Sequence, residues 1–201
     1  MIRLWHWSTF IVITGSLITV LFAKTILATK SNISMVQTNL QKNNVSVTSD
    51  QARSVAHDFN DMVWRWHIYI GYVLASLLLF RLICEFFMPG KQKLIPLIRK
   101  TISYVKMPDA NKSHGRHYLF VKCAYLFFYL ALFVQACSGL FMVYADDKPE
   151  LKDVRHNVSD IHSVFMWIII GYIVIHIIGV IRAEFSEKNN GIVSDMINGG
   201  E

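Results

Sequence analysis

Charge is scarce in this chain: Asp, Glu, Lys and Arg make up 17% of its 201 residues, against about 25% in a soluble globular domain. With 53% of the residues hydrophobic, the deficit points to lipid as the solvent. The length accommodates about four spans of roughly 20 residues with their connections, and it excludes a large catalytic domain. Cysteine is also rare. Cys84, Cys123 and Cys137 all fall in apolar stretches, and no two of them form C-x-x-C or C-x-x-C-H, so a disulfide framework, a zinc ribbon and covalently attached haem are unsupported. No internal repeat or low-complexity tract is present. The formal charge of +6 lies mostly in one connection between hydrophobic runs, the distribution of a membrane protein rather than of a nucleic-acid binder.

What is present is four apolar runs. Leu4 to Ala23 contains no charged residue and is followed by Lys24 and a stretch rich in Asn, Ser, Gln and Thr. Its length, and the Trp5, His6 and Trp7 at its start, fit a retained helix better than a cleaved signal peptide. The second run extends from about His67 to Met88, free of charge from Trp66 to Phe80, and then carries Arg81 and Glu85 on one helical face. The third, Cys123 to Ala145, is charge-free, and the fourth runs from Ile161 to Ile181 and is closed by Arg182 and Glu184.

These runs predict an all-α integral membrane protein, a four-transmembrane-helix bundle. It would be a single membrane domain over residues 1–201, with spans at about 4–26, 66–88, 118–145 and 161–183. Orientation follows from the connections. Segment 89–117 carries seven basic residues against one acidic, whereas 27–62 has three of each and 145–160 has three basic and five acidic. The basic connection is therefore expected in the cytoplasm, with both termini and the tail 184–201, and the other two connections outside. Within it, Lys93 to Lys106 interleaves Leu94, Ile95, Leu97, Ile98, Ile102 and Val105 with basic residues, the pattern of a short helix lying on the inner leaflet. Tryptophans at the openings of spans one and two, Trp5, Trp7, Trp64 and Trp66, suit the headgroup level.

The candidate chemistry lies in the histidines. Of eight, His6, His67, His162 and His176 fall at or within spans, where an ionisable group is a functional hypothesis by default. His162 and His176 are 14 residues apart, close to four helical turns, and so share one face at a separation of about 21 Å. His67 and His162 both stand at the outer ends of their spans, while His6 and His176 stand toward the inner ends. Two cross-helix pairs follow, His67 with His162 and His6 with His176, and a pair of imidazoles on facing helices is how a bundle holds a haem iron by two axial ligands. Gly15, Gly71, Gly139, Gly171 and Gly179 interrupt the helix faces and permit close approach. His57, His114 and His156 lie in connections.

With these residues in hand the chain resembles the b-type cytochrome subunit of membrane-bound nickel-iron hydrogenases, within the bacterial cytochrome b561 superfamily that also includes formate dehydrogenase gamma subunits. The matching pieces are Arg3-Leu4-Trp5-His6-Trp7, Trp66-His67 with the apolar run to Leu79-Phe80-Arg81, Ser138-Gly139-Leu140, Asp160-Ile161-His162-Ser163, His176 followed by Arg182-Ala183-Glu184, and the tail from Ile192 to Gly199. The resemblance implies that His6, His67, His162 and His176 ligate two b haems. It also implies that electrons pass from the iron-sulfur clusters of a periplasmic partner, a hydrogenase small subunit, to the outer haem, the inner haem and then quinone in a bacterial inner membrane. Before span three the family often has Gly-His-Asn, and this chain has Gly115-Arg116-His117; Arg116 and His117, at the inner end of span three, are the candidate quinone contacts. The polypeptide would then be the electron-transfer subunit of an oxidoreductase complex, with connections 27–62 and 145–160 as the surface for its partner. The competing reading is a stand-alone cytochrome that takes electrons from superoxide or another small donor. A transporter is disfavoured because Glu85 is the lone carboxylate inside a span.

Overall fold

The structure, a computed structural model, describes residues 2–87, 93–105, 112–185 and 196. Among the described residues there is no strand. The chain forms α1 (Ile2–Lys24), α2 (Thr29–Lys42), α3 (Ser49–Phe87), α4 (Leu94–Val105), α5 (Lys112–Tyr144) and α6 (Lys152–Glu184), with a 3-10 turn at Pro149–Leu151 leading into α6. Four of these, α1, α3, α5 and α6, are long and apolar enough to cross a membrane. Large apolar side chains stand outward along them, as with Ile11, Leu79, Phe133 and Ile175, all more than half exposed. In water such faces would be costly; in hydrocarbon they are solvated.

The helices overrun the apolar runs. The 39 residues of α3 measure about 58 Å at 1.5 Å each, nearly twice the roughly 30 Å of hydrocarbon. Since its charge-free stretch begins at Trp66, the excess is the polar segment from Ser49. Connection 27–62 is thus mostly helical: it holds α2 and the first turns of α3.

The chain divides into two compact units, one of His6–Leu74 and the other of the N-terminal residues through Trp5 together with the chain from Ala75 onward. In the first, local chemistry sets each helix end. The α2 helix stops in a Schellman motif: Val45 N–H donates to Leu40 O and Asn44 N–H to Gln41 O, both at 3.0 Å, around Asn44 in the left-handed conformation at φ 60°, which asparagine tolerates better than most residues. The α3 helix starts in a capping box. Gln51 N–H donates to Thr48 Oγ1 at 3.2 Å and Thr48 N–H to Gln51 Oε1 at 2.9 Å, so two amides at the helix start find partners. Further along α3, Asn60 donates from Nδ2 to the carbonyls of Ala23 and Leu27, each at 2.8 Å. The first is a carbonyl that the end of α1 leaves without an intrahelical amide, and the second lies in the turn that follows the helix.

In the second unit α5 and α6 form a hairpin through the turn at 145–151. Small residues line its interior, with Ala131, Ala145 and Ser138 buried beside Leu132 and Ile169, which lets the two backbones approach closely. The amphipathic α4 rests against α5, burying Thr101 and leaving Ile95 and Ile102 exposed. Arg81 pairs with Glu85 at 3.1 Å and donates from Nε to Tyr129 Oη at 3.2 Å. Trp5 donates from Nε1 to Leu77 O at 2.9 Å, and its ring lies 5.6 Å from that of Tyr129.

Candidate functional site

Each of the four span histidines occupies a distinct setting. His67, half-buried on α3, places Nδ1 2.9 Å from Thr19 Oγ1 and 3.4 Å from Ser16 Oγ on α1, with Trp64 edge-on to its ring. The Thr19 hydroxyl has one proton and gives it to Ser16 O at 2.6 Å. Toward His67 it can only accept. The imidazole is therefore protonated at Nδ1, and Nε2 carries the lone pair.

His162 on α6 repeats the arrangement with different residues. Its Nδ1 lies 2.9 Å from Ser138 Oγ, whose proton goes to the carbonyls of Val134 at 2.7 Å and Gln135 at 3.1 Å. Nδ1 again donates, and Nε2 accepts from the Gln135 amide at 2.9 Å. Gly139 lies beneath the ring. A Cβ there would stand 3.3 Å from His162 Cε1, tighter than ordinary van der Waals contact.

On the same helix His176 lies nearly parallel to Tyr172, at 4° and 6.1 Å between centroids, and Tyr172 stacks in turn on Phe128 of α5 at 4.6 Å. His6, half-buried on α1, meets Trp7 edge-on at 5.4 Å. Arg116 is an exposed residue of α5, and the side chain of His117 lies outside those described, as does the tail 192–199 apart from Met196.

The sequence reading singled out the imidazoles and missed what holds them, namely Ser16, Thr19 and Gln135; Ser138 it noted only as part of a motif. The signal was available, since each is a polar residue in a run chosen for its apolarity, and a polar side chain in hydrocarbon needs a partner.

The donor set fits a macrocycle-bound metal better than a bare ion. Among the described residues no three His, Cys, Asp or Glu side chains converge, whereas an iron held by a porphyrin needs only one or two axial donors from the protein. Two buried oxygens, Thr9 Oγ1 one turn beyond His6 and Gln135 Oε1 beside His162, have no hydrogen-bond partner among the described residues, the condition of sites shaped for a further polar group.

A family model described as prokaryotic cytochrome b561 matches residues 1–199. The chain belongs to the prokaryotic cytochrome b561 family. No curated protein and no solved structure matches it. Family membership and the four apolar helices make the chain a multi-pass membrane b-type cytochrome of electron transfer. Its cofactor class is non-covalent b-type haem, and it exchanges electrons with a partner at the membrane.

Proposed function

We propose that this cytochrome holds two b haems, the outer one by His67 and His162 and the inner one by His6 and His176. On this reading it anchors a periplasmic iron-sulfur oxidoreductase subunit, a hydrogenase small subunit, and carries its electrons to quinone in a bacterial inner membrane. The observation that carries the reading is the shared state of His67 and His162: two imidazoles on different helices, each donating at Nδ1 to a hydroxyl and so each keeping Nε2 unprotonated, as a metal ligand must be; at His162 that lone pair accepts from the Gln135 amide, a bond that iron ligation would replace. The pairing by depth comes from the order of the spans and the charge of their connections.

Bound haem supplies one-electron chemistry at its iron, which no side chain of this protein can provide. The polypeptide orients the imidazoles and keeps water out. Thr19, Ser16 and Ser138 hold two rings by their Nδ1 side, and the Phe128-Tyr172-His176 stack restrains the third. Outside the apolar runs, α2, the turn after it and the start of α3 present Met35, Val45, Val55 and Phe59 as exposed apolar side chains, which favours a protein partner on this connection. Arg116 and His117, where the basic connection enters α5, are suited by charge and by proton-transfer chemistry to hold a quinone oxygen.

The test is purification from native membranes under mild detergent, followed by donor-driven quinone reduction. The account expects a subunit with several iron-sulfur clusters to accompany the cytochrome. It also expects His117→Leu to slow quinone reduction while the donor still reduces haem at the normal rate. Recovery of the cytochrome alone, with superoxide able to reduce it, would favour the stand-alone reading instead.

A further inference from the structure

We infer that Thr19 and Ser138 are positioning residues for the outer haem: each hydroxyl takes the Nδ1 proton of one axial histidine, fixing its tautomer and ring orientation and raising its basicity. The inference rests on the ligand roles proposed for His67 and His162.

The geometry recurs on two unrelated helices. Thr19 on α1 bonds back to the carbonyl three residues earlier at 2.6 Å, and Ser138 on α5 to the carbonyl four residues earlier at 2.7 Å. Back-bonding is the ordinary resting state of a hydroxyl inside an apolar helix. Its consequence here is less ordinary. With the only proton directed at its own helix, the oxygen can present nothing but lone pairs to the neighbouring helix, and in both cases an imidazole Nδ1 stands 2.9 Å away. A hydroxyl therefore does the work for which water-exposed metal sites commonly use a carboxylate. The choice follows from the solvent. A carboxylate at this depth would carry a charge into hydrocarbon, whereas a back-bonded Ser or Thr is neutral and already satisfied.

A ligand that donates at Nδ1 is more electron-rich at Nε2 and stabilises the ferric state. Loss of the acceptor should then weaken haem retention and raise the midpoint potential of the haem it serves. Both hydroxyls act on histidines assigned to the outer haem, so the inner haem should be untouched.

The experiment uses the full-length chain, purified with its haem, and titrates it potentiometrically in the haem α band alongside the low-spin electron paramagnetic resonance signal. Thr19→Val, which keeps the shape of the side chain, and Ser138→Ala, which removes a single oxygen, are each expected to lower haem affinity about 10–100-fold. Each should move one midpoint potential upward and leave the other in place. Thr19→Ser is expected to titrate as wild type. The inference is overturned if Thr19→Val and Ser138→Ala both keep wild-type potentials, or if Thr19→Ser behaves like Thr19→Val, since that would make the role steric. Its failure is separable from failure of the ligand reading. If His67→Ala loses a haem while the hydroxyl variants titrate normally, the positioning role alone is wrong, and if His67→Ala keeps its full haem complement, the ligand assignment is wrong as well.

Discussion

Gly139 lies directly beneath His162, so close that a β-carbon on it would stand 3.3 Å from Cε1 and 3.7 Å from Nδ1 of the ring. The same ring is held at Nδ1 by Ser138, so it cannot yield to a new methyl group without stretching that bond or tilting Nε2 away from its ligand position. In an unconstrained helix Gly→Ala would stabilise by about 1 kcal/mol. Here overpacking of about 1–3 kcal/mol opposes that gain. Gly139→Ala is expected to show partial haem loss and a perturbed low-spin spectrum, and Gly139→Val a near-complete loss of the haem bound by His162. The ratio of haem to protein in the purified variants measures this.

Asn60 tests how the first unit is tied together. Its single amide nitrogen serves both Ala23 O and Leu27 O, and Ala23 is 4% exposed, so removal of the donor leaves a buried carbonyl without a partner. Asn60→Ala should cost about 1–3 kcal/mol. Asn60→Asp should cost more, because an ionised carboxylate turns acceptor oxygens toward two carbonyls. Thermal unfolding in detergent should rank wild type above Asn60→Ala, and that variant above Asn60→Asp.

Much of the fold was legible in the sequence for a simple reason: a charge-free run such as Cys123 to Ala145 has few ways to be satisfied other than as a helix in lipid. The helical overruns were harder to see. Ser49 to Val63 is too polar to read as part of a span, and its helical signals, the spacing of Ala52, Val55, Ala56, Phe59 and Val63 and the Thr48-x-x-Gln51 pattern at the start of α3, belong to a helix that continues beyond the apolar run. Likewise α2 consists largely of Asn, Ser, Thr and Gln, residues that compete for their own backbone, and its end depends on a Schellman motif around Asn44. At the candidate site the histidines announced themselves because a titratable ring in an apolar run is anomalous. Their partners did not. Thr19 is 48 residues from His67 and Gln135 is 27 from His162, and helical periodicity says which face a residue occupies but not which helix that face meets.

Topology carries the assignment of depth. Residue 45 lies between α2 and α3, in a connection with balanced charge, whereas the connection before α5 is strongly basic. Reporter fusions at residue 45 and at the C-terminus should therefore report opposite sides of the membrane, periplasm for the first and cytoplasm for the second. The same side at both would break the ordering that pairs His67 with His162 and His6 with His176.

The central claim, two haems on four histidines, is tested most directly by counting haem per chain in the purified wild type and in His67→Ala. The account predicts two non-covalent haems in the wild type and one in the variant, the survivor retaining its low-spin spectrum, because removal of one axial ligand leaves the outer iron high-spin or its site empty. One haem per chain in the wild type, or two in His67→Ala with an unchanged spectrum, would contradict it.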